Sequence, residues 1–420
     1  MKKLSSNLVV SILVISFIMG ISLAALGADK KVVINSYMAD PAPKETLAKL
    51  VERFEEEHPD YDVTINTYPH EDYKTLIRTW LPSKDASPDI VTWFAGERAN
   101  TFVDKDLIMP LDDIWGEGKG FEDYFPKAFK SISQFEGKTY FLPQSWYWYG
   151  FWYRESVFDK LNLEEPVTWK QFLDVCEKLK ENGYTPISIG SKFRWTAAAW
   201  FDYFDLRLNG ADFHMKLMKG EVKYTNEKVR DVFEKWKELI DKGYFLENHT
   251  SYSWQEGAKF LFNKDAGMYL MGQFIQDVVS DEKVKKDLNF FRFPIIDASV
   301  PIAEETPTDG YMIPKNAPHP EAAKEFMHYL ATEKSQWFFA DELNRIAANR
   351  NIEQSKYSPM VQKGIEMINR SDKVTQFYDR DTKPAMADKA MDQIVKFMVN
   401  PGQMDQILQA MEAQRKKVFE

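Results

Sequence analysis

After residue 28 the chain alternates between short apolar runs and helical patterns, and this order limits the folds it can adopt. KKVVINSY, DVTINTY and PDIVTWF are rich in Val and Ile and are typical of buried strands. KETLAKLVERFEEEHP, between the first two, places its apolar residues on one helix face, and residues 73–81 form a second helical pattern. Strand, helix, strand, helix, strand is the order of a parallel sheet with crossover helices, so an α/β fold is predicted.

Four candidate site residues come directly after these strands. In open parallel sheets, ligands bind in the crevice beyond the carboxyl ends of the strands. This rule predicts that a ligand would meet Tyr37, His70, Trp93 and Glu97.

Residues 137–154, GKTYFLPQSWYWYGFWYR, hold nine aromatic side chains in eighteen positions. Trp and Tyr rings stack on the C–H faces of sugars and bases, and their polar edges form hydrogen bonds. Strand alternation places Trp146 and Trp148 on one face and Tyr147 and Tyr149 on the other. One pair is expected to face a ligand and the other to pack in the core, and the pattern leaves open which.

The first 28 residues have the layout of a secretory signal peptide. Two lysines precede a long apolar stretch, and small residues follow it, which predicts cleavage after Gly27 or Ala28. The stretch is also long enough for a retained membrane anchor, which is the alternative. No cysteine lies near the cleavage point, so a lipoprotein is not expected, and the mature protein is predicted to be soluble and exported.

Composition argues against several classes of function. The formal net charge is −10, whereas nucleic acids and anionic membranes are bound by basic surfaces, so neither is an expected partner. Cys176 is the single cysteine, which excludes an intramolecular disulfide and a cysteine metal cluster. The six histidines are scattered, so no metal site and no cofactor are predicted.

Motifs that would indicate catalysis are missing from the sequence. There is no GxxxxGK[ST] phosphate loop, no GxSxG elbow and no HExxH metal site. A glycosidase needs two carboxylates that face each other across a sugar. Candidates for such a pair are Glu97, Asp202, Glu256 and Asp309, but the sequence does not say which of them meet.

The stretch from Gly137 to Gly190 resembles the middle of the bacterial extracellular solute-binding proteins, family 1. These are the maltose-binding-protein-like sugar receptors of ABC importers. PDIVTWFAGE and DLIMPLDD resemble earlier segments of the family, and AGMYLMGQF and DGYMIPKNAPHPEAAKEFMHYL resemble later ones, all in order. The positions that match the family's middle pattern are Phe158, Leu163, Pro166, Thr168, Trp169, Phe172 and Gly183.

The resemblance implies the two-lobe periplasmic-binding-protein-like α/β fold (type II). Its lobes would be joined by three crossing segments, near Leu142–Trp146, Thr306–Gly310 and Leu343–Asn349. The implied division of the chain is a signal peptide at 1–28, lobe one at 29–143 plus 309–345, and lobe two at 144–308 plus 346–420.

The implied function is capture of a sugar, either a mono- or short oligosaccharide or a sugar-like polyol. An open form would bind it, close by hinge bending and deliver it to the membrane permease subunits of an ABC importer. The protein is expected to be a monomer without enzymatic activity. Many Gram-positive members carry a lipid-attachment cysteine that this chain lacks, so a soluble periplasmic receptor is expected.

The resemblance also assigns ligand contacts. Trp93 would stack on the sugar, Glu97 would accept hydroxyl donors, and Arg350 would hold two adjacent hydroxyls. The remaining contacts implied are Trp146, Trp148, Trp195, Gln273, Asp309 and Gly310, to which strand-end position adds Tyr37 and His70. Trp254 is expected to pack in the interior instead.

Two other functions use the same features. A secreted glycosidase or polysaccharide lyase could employ the aromatic residues as subsites, and a chemoreceptor-coupled binding protein would differ only in its partner. Turnover separates the enzyme from the receptor, because a receptor leaves its sugar intact.

Overall fold

The computed structural model describes residues 30–116 and 120–420. The predicted signal segment, its cleavage site and the question of a retained anchor lie outside these residues. Within them, no helix is both long enough and apolar enough to cross a membrane.

Fourteen strands are present in the described chain. In chain order they are β1 Lys30–Ser36, β2 Tyr61–Thr67, β3 Ile90–Phe94, β4 Gln134–Phe135, β5 Lys138–Thr139, β6 Leu142–Trp146, β7 Tyr149–Arg154, β8 Thr185–Ser188, β9 Ala266–Gly272, β10 Leu288–Phe291, β11 Ala303–Glu305, β12 Thr308–Met312, β13 Ile346–Ala347 and β14 Lys373–Thr375.

The α-helices of the same residues surround these strands. In chain order they are α1 Pro41–Glu57, α2 His70–Trp80, α3 Glu97–Val103, α4 Asp112–Trp115, α5 Phe121–Tyr124, α6 Lys127–Ser133, α7 Glu155–Leu161, α8 Trp169–Glu181, α9 Trp195–Leu208, α10 Gly210–Met218, α11 Glu227–Asp241, α12 Trp254–Phe262, α13 Glu282–Lys286, α14 Pro320–Ala331, α15 Glu333–Glu342, α16 Pro359–Asn369, α17 Tyr378–Asp381, α18 Pro384–Val399 and α19 Met404–Phe419.

The first sheet has six strands in the order β13-β6-β12-β3-β1-β2. β1 is parallel to both β2 and β3, with α1 and α2 as the crossover helices, which confirms the predicted strand–helix order. β12 runs antiparallel to β3 and β6. Leu47, Leu50 and Phe54 of α1 pack in the core beside this sheet. The sheet and the cores around it are called lobe one.

The second sheet has four strands in the order β10-β7-β9-β8. β8 is parallel to β9, whereas β7 is antiparallel to β9 and β10. Its core is rich in aromatic residues, among them Trp152, Phe172, Trp200 and Trp236. This sheet, its core and the helices packed on it are called lobe two.

Both ends of helix α8 in lobe two have the residues and geometry that the sequence predicts. Thr168 caps α8, and its side chain and that of Gln171 form a reciprocal capping box. Gly183 follows the helix with a φ of +82°, a conformation that glycine adopts without strain. The predicted N-cap and terminator of this helix are therefore confirmed.

The chain passes between the lobes three times. β6 and β7 follow each other but lie in different sheets, so the first passage is at residues 147–148. The second lies between β11 and β12, and the third follows β13, before α16 packs in the core of lobe two. The predicted lobe boundaries stay predictions, and the first of them falls inside β6.

Candidate ligand-binding pocket

A pocket lies between the lobes, and the space between its walls, including the part open to solvent, is about 790 Å³. Both lobes and the segments between them contribute to its walls. The lining includes Tyr37, Asp40, His70, Lys74, Phe94, Tyr147, Tyr149, Trp195, Trp254, Phe274, Asp277, Asp309, Arg345, Phe377, Asp379 and Arg380.

Lobe one contributes residues that follow its parallel strands. Tyr37 and Asp40 come after β1, His70 and Lys74 belong to the first turns of α2 after β2, and Phe94 ends β3. The rings of Tyr37 and His70 meet edge to face at 5.0 Å. The strand-end rule thus placed Tyr37 and His70 correctly beside the pocket, although their role as ligand contacts stays a prediction.

Lobe two contributes an aromatic wall. Trp195 begins α9 and Trp254 begins α12, and both rings pack on Phe274, at 6.2 and 5.2 Å between centroids. Tyr147 meets the same Phe274 ring edge to face at 5.3 Å. Trp195 and Phe274 are half-buried, so part of each ring remains accessible beside the pocket. Such a wall offers flat apolar surface with polar edges.

Ion pairs line the opposite parts of the pocket. Arg380 donates to Asp309 at 3.0 Å and to the Tyr147 hydroxyl at 3.2 Å. Arg345, from the segment before β13, pairs with Asp277 of lobe two. These guanidinium groups neutralise two of the pocket carboxylates, so the charge of the site is largely balanced internally.

Burial shifts the pKa of several pocket groups. It raises the pKa of Asp277 to about 6 despite the neighbouring Arg345, and it raises the pKa of Asp40. Burial lowers the pKa of the His70 imidazole, and nearby Lys74 lowers it further, so His70 is neutral at pH 7. For Asp379, burial opposes ionisation, but Arg98 and Lys74 outweigh it and the pKa is lowered.

Two buried polar atoms of the pocket residues have no hydrogen-bond partner among the described residues. They are the hydroxyl oxygen of Tyr37 and Nε of Arg345. An unpaired buried polar atom costs about 1–3 kcal/mol.

The lobes also touch each other around the pocket. Gln255 Nε2 of lobe two donates to Asp40 Oδ1 of lobe one at 3.4 Å. Arg98 of lobe one pairs with Asp379 of lobe two at 3.4 Å. The structure therefore represents a closed arrangement of the lobes.

Trp93 and Trp148 are not placed at the pocket. Trp93 is 2 % exposed and stacks on Phe94 at 4.3 Å inside lobe one. Trp148 is fully buried, lies near Trp152 at 6.4 Å between ring centroids and covers Gly364. Tyr147 and Tyr149, the alternative face of the aromatic run, line the pocket instead.

Trp146, Gln273 and Gly310 serve the junction between strands and lobes rather than the pocket wall. Trp146 donates from Nε1 to the Ala347 carbonyl at 3.1 Å. Gln273 is fully buried and donates from Nε2 to the Leu343 carbonyl at 2.7 Å. A Cβ on Gly310 would lie 1.9 Å from the carbonyl oxygen of Leu142, so glycine there permits close pairing of β12 with β6.

Glu97 and Arg350 also lie outside the pocket lining. Glu97 begins α3, where its carboxylate accepts from Asn100 at 3.4 Å. Arg350 is exposed and donates from Nε to the Asp123 carbonyl at 2.9 Å. Of the predicted site residues, the structure brings together at the pocket Tyr37, His70, Trp195 and Asp309.

Of the four acids considered for a glycosidase, Asp309 alone lines the pocket. Asp202 is buried within lobe two, where its carboxylate accepts from the Tyr378 amide at 2.9 Å. Glu256 closes the capping box of α12 with Ser253. In residues 30–116 and 120–420, no three His, Cys, Asp or Glu side chains are grouped to hold a metal ion.

Several pocket residues carried no recognisable signal in the sequence. Arg380 and Asp379 belong to a four-residue helix, which is too short to show a helical pattern of apolar residues. Arg345 precedes a two-residue strand. The expectation that Trp254 packs internally was incomplete, because its ring both packs on Phe274 and lines the pocket.

Comparison with known proteins gives matches over most of the chain. The family model described as bacterial extracellular solute-binding protein matches residues 39–337. An uncharacterized ABC transporter extracellular-binding protein of Pyrococcus horikoshii is 28% identical over 379 residues, which cover 88% of this chain and 85% of that protein.

Solved structures agree with the observed architecture. The bacterial solute receptor AcbH, described as having an exclusive preference for β-D-galactopyranose, superposes with a TM-score of 0.88 and 30% identity, covering 93% of this chain and 100% of the receptor. A chitin oligosaccharide binding protein has a TM-score of 0.83 at 22% identity, and the match covers 94% of this chain and 100% of that protein. The predicted two-lobe fold is thereby confirmed.

Proposed function

The chain belongs to the bacterial extracellular solute-binding protein family, and from this premise we propose that it is a carbohydrate receptor of an ABC importer. Its ligand would occupy the pocket between the lobes. The observation that carries the proposal is the combination of an aromatic wall at Trp195, Trp254 and Phe274 with polar and charged side chains in the same pocket, among them Asp40, His70 and Lys74. A sugar ring has apolar faces and a rim of hydroxyls, and this combination complements both.

Closure of the lobes would capture the ligand. Lobe one contributes side chains such as Tyr37, Asp40 and His70, whereas lobe two contributes the large rings of the aromatic wall and the charged groups of Asp277, Asp379 and Arg380. A sugar that contacts both sides favours the closed form by the free energy of those added contacts. The closed form then presents both lobes together to the permease subunits.

The receptor would leave its sugar chemically unchanged. Three pocket carboxylates, those of Asp277, Asp309 and Asp379, are paired with guanidinium groups. A glycosidase requires one carboxyl group that stays protonated and another that attacks or activates water beside the sugar. Carboxylates held in ion pairs suit acceptance of hydroxyl donors instead.

Export and assembly complete the proposal. The segment 1–28 would direct export and be removed after Gly27 or Ala28, and the mature protein would act as an unlipidated periplasmic monomer. These points are supported by the sequence layout, and mass spectrometry of the exported protein tests the cleavage site directly.

The experiment that tests the function is a sugar titration. The full chain is expressed in a bacterial host that can process it, and the exported protein is unfolded and refolded to remove bound ligand. Isothermal titration then uses D-galactose first, because of the preference described for AcbH, followed by D-glucose, pentoses and disaccharides. Saturable binding with recovery of intact sugar supports a receptor. Cleaved sugar would indicate an enzyme, and no binding of any carbohydrate would contradict the proposal.

Two tryptophan variants test the location of the site. Trp195→Ala removes a ring that lines the pocket and should weaken binding by about 1–3 kcal/mol. Trp146→Ala is the matched control, because Trp146 is also half-buried but lies outside the pocket lining. Loss of affinity in the control and not in Trp195→Ala would contradict the assignment of the pocket.

A further inference from the structure

The edge of the pocket near α12 is closed by a contact between the lobes. Trp254 begins α12 and its ring lines the pocket, and Gln255 is the next residue of the helix. Its amide donates across the gap to Asp40, a pocket residue of lobe one, at 3.4 Å. The capping box between Ser253 and Glu256 fixes this first turn of α12, so Gln255 is held in place by its own helix.

A second contact closes the pocket at α17. Asp379 lines the pocket and pairs with Arg98 at 3.4 Å, and both side chains are more than nine-tenths buried. Beside this pair, Gly96 of lobe one meets the backbone of Arg380 so closely that a side chain would not fit. The lobes are therefore in direct contact between α3 and α17.

An oligosaccharide differs from a single sugar in one structural requirement. Its glycosidic bond continues from the bound ring to the next one, so the closed cleft must have an opening in that direction. Here two edges are bridged by side chains from opposite lobes, at Asp40–Gln255 and at Arg98–Asp379.

We propose that the pocket accepts a single sugar ring, and that Gln255 is a specificity-determining residue because its contact with Asp40 closes one edge of the pocket to a second ring. This inference rests on the proposed function as a carbohydrate receptor. Of the two contacts between the lobes, the one made by Gln255 is easier to remove by substitution. Its hydrogen bond is long and joins an amide to a half-buried carboxylate. The Arg98–Asp379 pair is buried, and breaking it would leave an uncompensated charge.

The test compares monosaccharides with disaccharides that contain them. Refolded full-length protein, processed by its host, is titrated with D-galactose, D-glucose, lactose, melibiose, maltose and cellobiose. The wild-type protein should bind its best monosaccharide about 100-fold more tightly than any disaccharide. Gln255→Ala should reduce that ratio about 10-fold by strengthening disaccharide binding, with monosaccharide affinity within about 3-fold of wild type.

The control variant is Gln406→Ala, which removes an exposed glutamine from α19 and should leave the ratio unchanged. A wild-type protein that binds a disaccharide as tightly as a monosaccharide would overturn the single-ring inference while leaving the receptor function intact. A ratio unaffected by Gln255→Ala would overturn the role of Gln255. If no sugar binds at all, the proposed function and this inference both fail.

Discussion

A Cβ atom on Gly96 of lobe one would lie 2.5 Å from the main-chain carbonyl oxygen of Arg380 in lobe two. Gly96 precedes α3, and its φ of +104° is itself a conformation that side chains rarely adopt. Arg380 belongs to the pocket and pairs with Asp309. This close approach of the lobes beside the ligand pocket therefore requires a residue without a side chain.

Gly96→Ala should weaken ligand binding because the lobes cannot close fully around the ligand. We expect a loss of affinity of about 10-fold or more, measured by isothermal titration with the best ligand of the wild-type protein. Gly183→Ala is the matched control: Gly183 also has a positive φ, of +82°, but an added Cβ there meets nothing within 4 Å. Equal affinities of the two variants would show that the contact with Arg380 does not limit closure.

Lobe one was predictable where the sequence repeats a simple pattern. Val and Ile runs separated by amphipathic helices specify a parallel sheet, and the carboxyl ends of its strands placed Tyr37 and His70 beside the pocket. Trp93 belongs to the same strands, but it lies within β3 rather than after it. Its ring consequently packs in the core between Phe94 and Phe102.

Other parts of the site were not predictable from one sequence. Alternation in the aromatic run separates Trp148 from Tyr147 and Tyr149, but it does not state which face meets the other lobe. Arg380 and Asp309 come from distant parts of the chain, and only the closure of the lobes brings them to 3.0 Å. A pair of residues so far apart in the chain produces no short sequence pattern from which the contact could be predicted.

Gln273→Ala should affect stability more than ligand binding. Gln273 is fully buried, and its amide donates to the Leu343 carbonyl at 2.7 Å. Truncation leaves that carbonyl without this donor and opens a small cavity, so the free energy of unfolding should fall by about 1–3 kcal/mol. Urea denaturation measures this change, and titration of the folded variant should give an affinity within about 3-fold of wild type. A large loss of affinity without loss of stability would restore Gln273 as a ligand contact.

The turn that positions Trp195 is strained at Arg194. Arg194 has a φ of +69° and a ψ of −37°, and the Trp195 amide donates to the Phe193 carbonyl at 2.8 Å across it. Glycine adopts this conformation without the steric penalty of a Cβ. Arg194→Gly and Arg194→Ala lose the same ion pairs with Asp388 and Asp392. The difference between their free energies of unfolding therefore reports the cost of the backbone conformation at this position.

Arg194→Gly should be more stable than Arg194→Ala by about 1 kcal/mol, measured by urea denaturation. Glu234, exposed in the middle of α11, provides the control position. There the order should reverse, because glycine destabilises a helix interior relative to alanine by about 1 kcal/mol. An Arg194→Ala variant as stable as Arg194→Gly would mean that the turn carries no strain.

The stability of lobe two should depend on pH through His249. Its imidazole is 8 % exposed, Nδ1 is hydrogen-bonded to the Ser191 hydroxyl at 2.6 Å, and burial lowers its pKa to about 4. The unfolded chain takes up this proton at a pKa near 6.5, so the stabilising contribution is complete above about pH 6.5 and is lost as the pH falls towards 4. The loss should be roughly 2–3 kcal/mol at pH 4, relative to pH 7. His249→Asn keeps a polar group in place without this titration. Urea denaturation of both proteins at pH 7, 5.5 and 4 should therefore show wild-type stability falling relative to the variant, and parallel curves would contradict a buried neutral imidazole.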